Sequence, residues 1–144
     1  MNRHSRATIV AVFAAASVVL LSACSVGPPR DANGHVTETT VIGSTTMEVG
    51  VCFSFEADLS EVSVTPCSLT HTYIVIGKGE LDAAKVATAD SVQNAASAAC
   101  SEAFAAFKAA APEGVRPTQE FIIATEDRDG ETVTLYTCVA TDES

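Results

Sequence analysis

Apolar and polar residues follow three different patterns along the chain. A predominantly apolar run covers residues 7–20, and a mixture rich in Gly, Pro, Ser and Thr extends to about residue 47. Beyond it, short stretches of alternating apolar and polar residues flank one segment of helical spacing between Asp90 and Pro112. Alternation is typical of half-buried strands, and a spacing of three to four residues is typical of an amphipathic helix. The pattern predicts an α+β domain over residues 48–144, with an antiparallel sheet of about four to five strands packed on one main helix.

The helical segment carries its own start and stop signals. Asp90, followed three residues later by Gln93, has the form of a capping box at a helix N-terminus, and Pro112 ends the helix. Apolar side chains recur on one stripe, at Val92, Ala96, Ala99, Cys100, Ala103, Phe104 and Phe107. Cys100 is therefore predicted to lie on the buried side of the helix.

The first part of the domain has the pattern of a hairpin. Residues 49–66 alternate loosely, and their most polar point surrounds a predicted turn at Leu59 and Ser60. With this turn, Cys52 lies opposite Cys67 on the neighbouring strand, within reach of a disulfide.

The last part of the domain predicts a second hairpin. Its strands, Phe121–Thr125 and Thr132–Ala140, are joined through Asp129-Gly130, a dipeptide that tolerates the positive φ of a tight turn. This turn places Cys138 on the sheet face that the helix covers. A disulfide between Cys100 and Cys138 would then join the helix to the sheet.

The apolar run near the N-terminus has the order of an export signal. Basic residues precede it without any acidic one, and its 14 residues are fewer than the roughly 20 that a membrane span needs. The residues just before Cys24, Leu-Ser-Ala, resemble the bacterial lipoprotein signal. The resemblance implies that residues 1–23 are removed and that the Cys24 thiol carries a lipid, which holds the protein at the extracytoplasmic face of the cell membrane. An ordinary secretory signal with an incidental cysteine, or a core helix, is the alternative.

Without residues 1–23, six basic residues stand against 18 acidic ones, which gives a net charge of −12. Nucleic acids and anionic membrane surfaces attract basic protein surfaces. The composition therefore argues against both of them as partners.

Residues 24–47 are predicted to form a flexible tether that lifts the domain off the membrane. Their Thr, Ser, Gly and Pro content buries too little apolar surface to offset the entropy lost on ordering. Two further interpretations remain open for this segment. Its threonines and serines are possible sites for O-linked sugars, and Val41 and Ile42 are compatible with a short edge strand.

Four cysteines remain in the domain, at Cys52, Cys67, Cys100 and Cys138. An even number in a small exported domain indicates two disulfides, and four cysteines allow three pairings that spacing alone does not separate. Their gaps of 15, 33 and 38 residues lack the close pairs of zinc sites and of CxxC redox proteins. A nucleophilic cysteine would need a base, and His71 is the only histidine of the domain.

His71 stands just before the β-rich run Thr72–Gly77, which predicts the strand after the first hairpin. Two interpretations of this histidine are open. Its ring bonds a neighbouring carbonyl and fixes the turn into the strand, or it contacts a ligand or senses protons.

Two short motifs, VGVCF at residues 49–53 and PCSLTH at residues 66–71, precede an alanine-rich helix with the third cysteine and a strand with the fourth. This order resembles the septum-formation domain of actinobacterial exported and membrane proteins. Val51 and Thr70 replace the aspartate and the proline typical of that family. The resemblance implies a disulfide-bonded α+β domain, often attached to a membrane, and no enzyme chemistry.

No catalytic set emerges from the sequence. The acidic residues around Arg128 lie at a predicted turn, where they are solvated, whereas paired carboxylates do acid–base work when burial drives their pKa values apart. No metal or cofactor motif is present. We therefore expect a non-enzymatic, lipid-anchored binding or scaffolding module whose partner is an envelope protein or a wall component. The alternative is a carrier of a small ligand or lipid, with an apolar cavity between sheet and helix.

Overall fold

A computed structural model describes residues 27–141; the predictions for the signal segment and for Cys24 lie outside this part. The elements in chain order are β1 (Thr40–Gly43), β2 (Cys52–Phe55), β3 (Glu61–Thr65), β4 (Tyr73–Leu81), α1 (Ala83–Thr88), α2 (Val92–Ala110), β5 (Gln119–Arg128) and β6 (Glu131–Thr141). All strand pairs are antiparallel, in the order β1-β3-β2-β4-β6-β5. The α+β class, the antiparallel sheet, the one main helix and the two disulfides are confirmed. The sheet has six strands rather than the predicted four to five.

The sixth strand comes from the segment that was predicted as a tether. β1 pairs with β3, so the short edge strand at Val41 and Ile42 is confirmed. Arg30 and Val36 form an isolated β-bridge before β1, and Met47 after it is buried in the core. The ordered fold therefore begins well before residue 48.

The first hairpin, β2 and β3, has a different register from the predicted one. Cys52 lies opposite Thr65 rather than opposite Cys67, because the turn is centred one residue earlier, between Asp58 and Leu59. The disulfide nevertheless joins Cys52 to Cys67, with Cα atoms 5.2 Å apart. The chain turns immediately after β3 and brings the cysteine back toward β2.

The second hairpin, β5 and β6, has the predicted register, with Phe121 opposite Cys138. Asp129 and Gly130 have φ angles of 55° and 85°, as a two-residue hairpin turn with two positive φ values requires. Cys138 faces α2 and bonds to Cys100, with Cα atoms 5.4 Å apart. The helix is therefore covalently joined to the sheet.

Helix α2 begins one residue later than predicted. Asp90 has a φ of 64° and lies outside the helix, so the capping box assigned to it is wrong. Ser91 is the N-cap instead, and its hydroxyl accepts a hydrogen bond from the Asn94 N–H at 3.0 Å. The helix ends at Ala110, before Pro112, as predicted.

The sheet separates two cores. On one face, α2 packs over β4, β5 and β6, where Leu81, Ala95 and Ala96 are buried beside the disulfide. Helix α2 approaches β4 closely at Gly77, where an added Cβ would lie 3.4 Å from the Ala103 Cβ. The other face holds a larger apolar cluster formed by Met47, Val51, Phe53, Val62, Val64, Val75 and Val139.

Removal of the disulfide that joins helix and sheet should destabilise the domain more than removal of the other one. Cys100→Ala with Cys138→Ala opens a loop of 38 residues, and Cys52→Ala with Cys67→Ala opens one of 15. The chain-entropy treatment gives losses in the free energy of unfolding of about 4 and about 3 kcal/mol, respectively. Urea unfolding followed by far-UV circular dichroism measures both losses. An equal or smaller loss for the Cys100 and Cys138 pair would contradict the prediction.

Candidate functional site

The described residues, 27–141, offer neither a metal-ligand cluster nor a free thiol of the domain as a candidate site. No cluster of three or more His, Cys, Asp or Glu side chains in this part of the chain has a geometry that could hold a metal ion. All four cysteines of the domain are bonded in pairs, so none of them offers a thiolate. The predicted candidates therefore reduce to His71 and to surfaces that could bind a partner.

His71 is buried, with 4% of its surface exposed. Its Nδ1 donates a hydrogen bond to the Leu69 carbonyl oxygen at 2.7 Å, and the Leu69 N–H donates to the Pro66 carbonyl at 2.9 Å. These two bonds order the loop between β3 and β4. A ring this buried presents little surface to a ligand.

The acidic residues around Arg128 form a solvated ion-pair cluster. Arg128 lies 2.6 Å from the Glu80 carboxylate and 3.5 Å from that of Glu126, and all three side chains are exposed. The hydrogen bond and charge of Glu80, with a smaller contribution from Glu126, raise the pKa of Arg128 above its usual value. This exposed cluster supplies a polar rim to the groove described next.

A groove of about 330 Å³, here called the sheet groove, lies on the sheet face away from α2. Its floor consists of apolar side chains of β5 and β6, namely Ile122, Ala124 and Leu135. Its rim carries charges of both signs, from Lys78, Glu80, Glu126 and Arg128. The Lys78 ammonium donates to the Met47 carbonyl oxygen at 2.8 Å, so one wall of the groove is tied to the segment between β1 and β2. An apolar floor with a few polar groups at its rim is typical of a binding site.

The sheet groove borders an open edge of β4. β2 pairs with β4 only at Tyr73 and Ile74, and the last backbone bond that follows this pairing runs from the Gly50 N–H to the Val75 carbonyl oxygen at 2.8 Å. Residues 77–81 pair with β6 on one side, and no described strand lies on their other side. A strand edge of this kind can accept another extended chain.

A second cleft, here called the α2–β4 cleft, lies on the helix side of the same edge and has a volume of about 400 Å³. Small residues line part of it, namely Gly77, Ala99, Ala103 and Ala106, and the rest of the lining comes from Lys78, Glu102, Tyr136 and Cys138. The open edge of β4 therefore has one depression on each face of the sheet. Between helix and sheet elsewhere, the space is filled by Leu81, Ala95, Ala96 and the aromatic side chains of Phe121 and Tyr136.

The sequence prediction missed the sheet groove. One signal was present in β5, where Phe121 and Ile123 alternate with Ile122 and Ala124, so that both faces of the strand are apolar. A strand with two apolar faces needs cover on both sides. Here α2 packs on one face, and the sheet groove is the part of the other face that the apolar cluster leaves uncovered.

Comparisons with protein-family models, with curated proteins and with solved structures find no match for this chain. In residues 27–141, no helix has both the length and the apolar character that crossing a membrane requires.

Replacement of His71 should show whether its role is structural. His71→Ala removes a buried hydrogen bond and leaves a cavity, so it should lower the free energy of unfolding by about 2 to 4 kcal/mol. His71→Asn places an amide donor close to the position of Nδ1 and should restore part of that loss. Thermal melting between about pH 5 and 8 measures both variants. A pH dependence that the wild type shows and His71→Asn lacks would instead support a proton-sensitive site.

Proposed function

We propose that the protein is a non-enzymatic binding module of the bacterial cell envelope. It is anchored through a lipid on Cys24 at the extracytoplasmic face of the membrane, and it binds an envelope protein or a wall component. The observation that carries this proposal is the open edge of β4 between the sheet groove and the α2–β4 cleft. Two disulfides in a domain of this size are consistent with an oxidising compartment.

An extended segment of the partner fits this edge. Its backbone would pair with residues 77–81 of β4, and its successive side chains would point to opposite faces of the sheet. Alternate side chains would then enter the sheet groove and the α2–β4 cleft. The charges of Lys78, Glu80 and Arg128 at the rim would select polar groups of the partner.

The lipid anchor predicts a defined mature N-terminus. Protein extracted from membranes should begin at Cys24 and carry the added mass of a diacylglycerol on its thiol. Cys24→Ser removes the acceptor sulfur, so this variant should lose the lipid and the membrane association. Intact-mass spectrometry and membrane fractionation measure the two effects. An unmodified Cys24 in the native protein would contradict the anchor.

If the partner binds in the sheet groove, binding should be sensitive to substitution of Ala124 on the groove floor. Ala124→Arg places a long charged side chain over the groove floor and should reduce photo-crosslinking to the partner in intact membranes at least tenfold, a loss of about 1.4 kcal/mol. Val115→Arg is the matched control, because Val115 is 47% exposed and does not line the groove. Both variants should keep the wild-type melting temperature. Equal crosslinking by the two variants would exclude the groove as the binding surface.

A carrier of a small ligand or lipid is the second candidate, and the α2–β4 cleft is the observation that favours it. Its volume of about 400 Å³ falls within the range of about 300 to 1,000 Å³ found for small-molecule sites. Lipid extraction of the purified protein separates the two functions. A bound lipid present in equimolar amount and absent from Ala106→Phe, which fills the cleft, would favour the carrier.

A further inference from the structure

The N-terminal segment is built into the domain from Pro29 onward. The Pro29 carbonyl accepts a hydrogen bond from the Thr37 N–H at 3.0 Å, and the Arg30 guanidinium lies 3.3 Å from the Glu48 carboxylate. The backbone N–H of His35 bonds the Asp31 carboxylate at 2.9 Å and lowers the pKa of that carboxyl. Only five peptide links separate Cys24 from Pro29, and they span at most about 18 Å.

This short connection fixes which end of the domain lies near the anchor. A depression of about 540 Å³ is shared by the N-terminal turn, from Arg30 to Val36, by Val49 and Gly50, and by residues 66–68. We call this region, together with Leu69, the tether end. It presents two exposed aliphatic side chains, Val49 at 56% and Leu69 at 52%. The loop that carries Leu69 is held by His71, as described above.

We infer that the tether end is a membrane-contacting surface whose occupant is the interface of a zwitterionic phospholipid bilayer. The inference rests on the proposed lipid anchor at Cys24. Because the connection is at most about 18 Å long, the domain lies against the bilayer instead of being lifted off it. Val49 and Leu69 enter the interfacial region, and the acidic net charge of the mature chain disfavours an anionic surface.

Two aliphatic side chains alone would bind a membrane weakly. The anchor makes the contact intramolecular in effect, because a short tether holds the surface at a high local concentration next to the lipid. A weak apolar contact is then sufficient to orient the domain. The other strongly exposed leucine, Leu59 at 70%, lies at the opposite end of β3 and faces away from the bilayer in this orientation.

The chain has no tryptophan, so a single introduced indole reports on its own surroundings. The test uses the full chain, exported, acylated and reconstituted into phosphatidylcholine vesicles with brominated acyl chains, which quench indole fluorescence on contact. L69W should lose more than about half of its fluorescence, and the matched control L59W less than about a tenth, because only the tether end reaches the interface. V49W is a second probe of the same surface and should behave as L69W does.

Flotation of the same vesicles separates failure of the inference from failure of the anchor. If the protein floats with the vesicles but L69W and V49W are quenched no more than L59W, the inference is overturned and the anchor stands. If all three probes are quenched equally, the domain has no fixed orientation and the inference is also overturned. If the protein does not float, the anchor fails, and the membrane-contacting surface fails with it.

Discussion

The Cys100–Cys138 disulfide holds together a helix–sheet layer that hydrophobic burial alone would stabilise only weakly. The fully buried side chains of this layer are small apart from Leu81, and each buried methylene contributes only about 0.8 kcal/mol. Close contact between α2 and β4 depends on Gly77, which presents no Cβ to Ala103. Small residues thus set the distance between helix and sheet, and the covalent bond keeps them together. The larger cluster around Phe53 on the other face packs independently of this bond.

The parts of the fold that the sequence predicted correctly are those with strong local signals. The Asp129-Gly130 turn admits one hairpin geometry, so the register of β5 and β6 follows from it. The first hairpin has no such dipeptide, and a turn centre displaced by one residue moved every facing pair by two. β1 lies among Thr, Ser and Gly residues that give no clear local signal for a strand. Its strand conformation therefore depends on its pairing with β3, which is a tertiary contact.

The candidate site was harder to predict from the sequence, because it lies where the pairing between β2 and β4 ends. The register of β4 against β6 shifts between Val75 and Gly77, and β2 leaves β4 at the same place. A bulge of this kind bends a strand and ends its ladder. Gly77 and Gly79 were the available signal, since glycine inside a strand often marks a bulge or a close backbone approach. Where a neighbouring strand ends, however, depends on how the whole sheet bends.

The proposed membrane contact and the proposed binding edge fit one orientation of the domain. β4 runs in the same direction as β3, because both strands pair antiparallel with β2. The Gly50 N–H donates to the Val75 carbonyl oxygen, so the tether end lies level with the middle of β4. From there the open edge at residues 77–81 continues in the direction that leads from Leu59 to the tether end. With the tether end on the bilayer, the binding edge therefore lies on the membrane-facing side of the domain. A partner that pairs with this edge must meet it close to the membrane surface, which favours a segment of a membrane-associated envelope protein over a distant wall component.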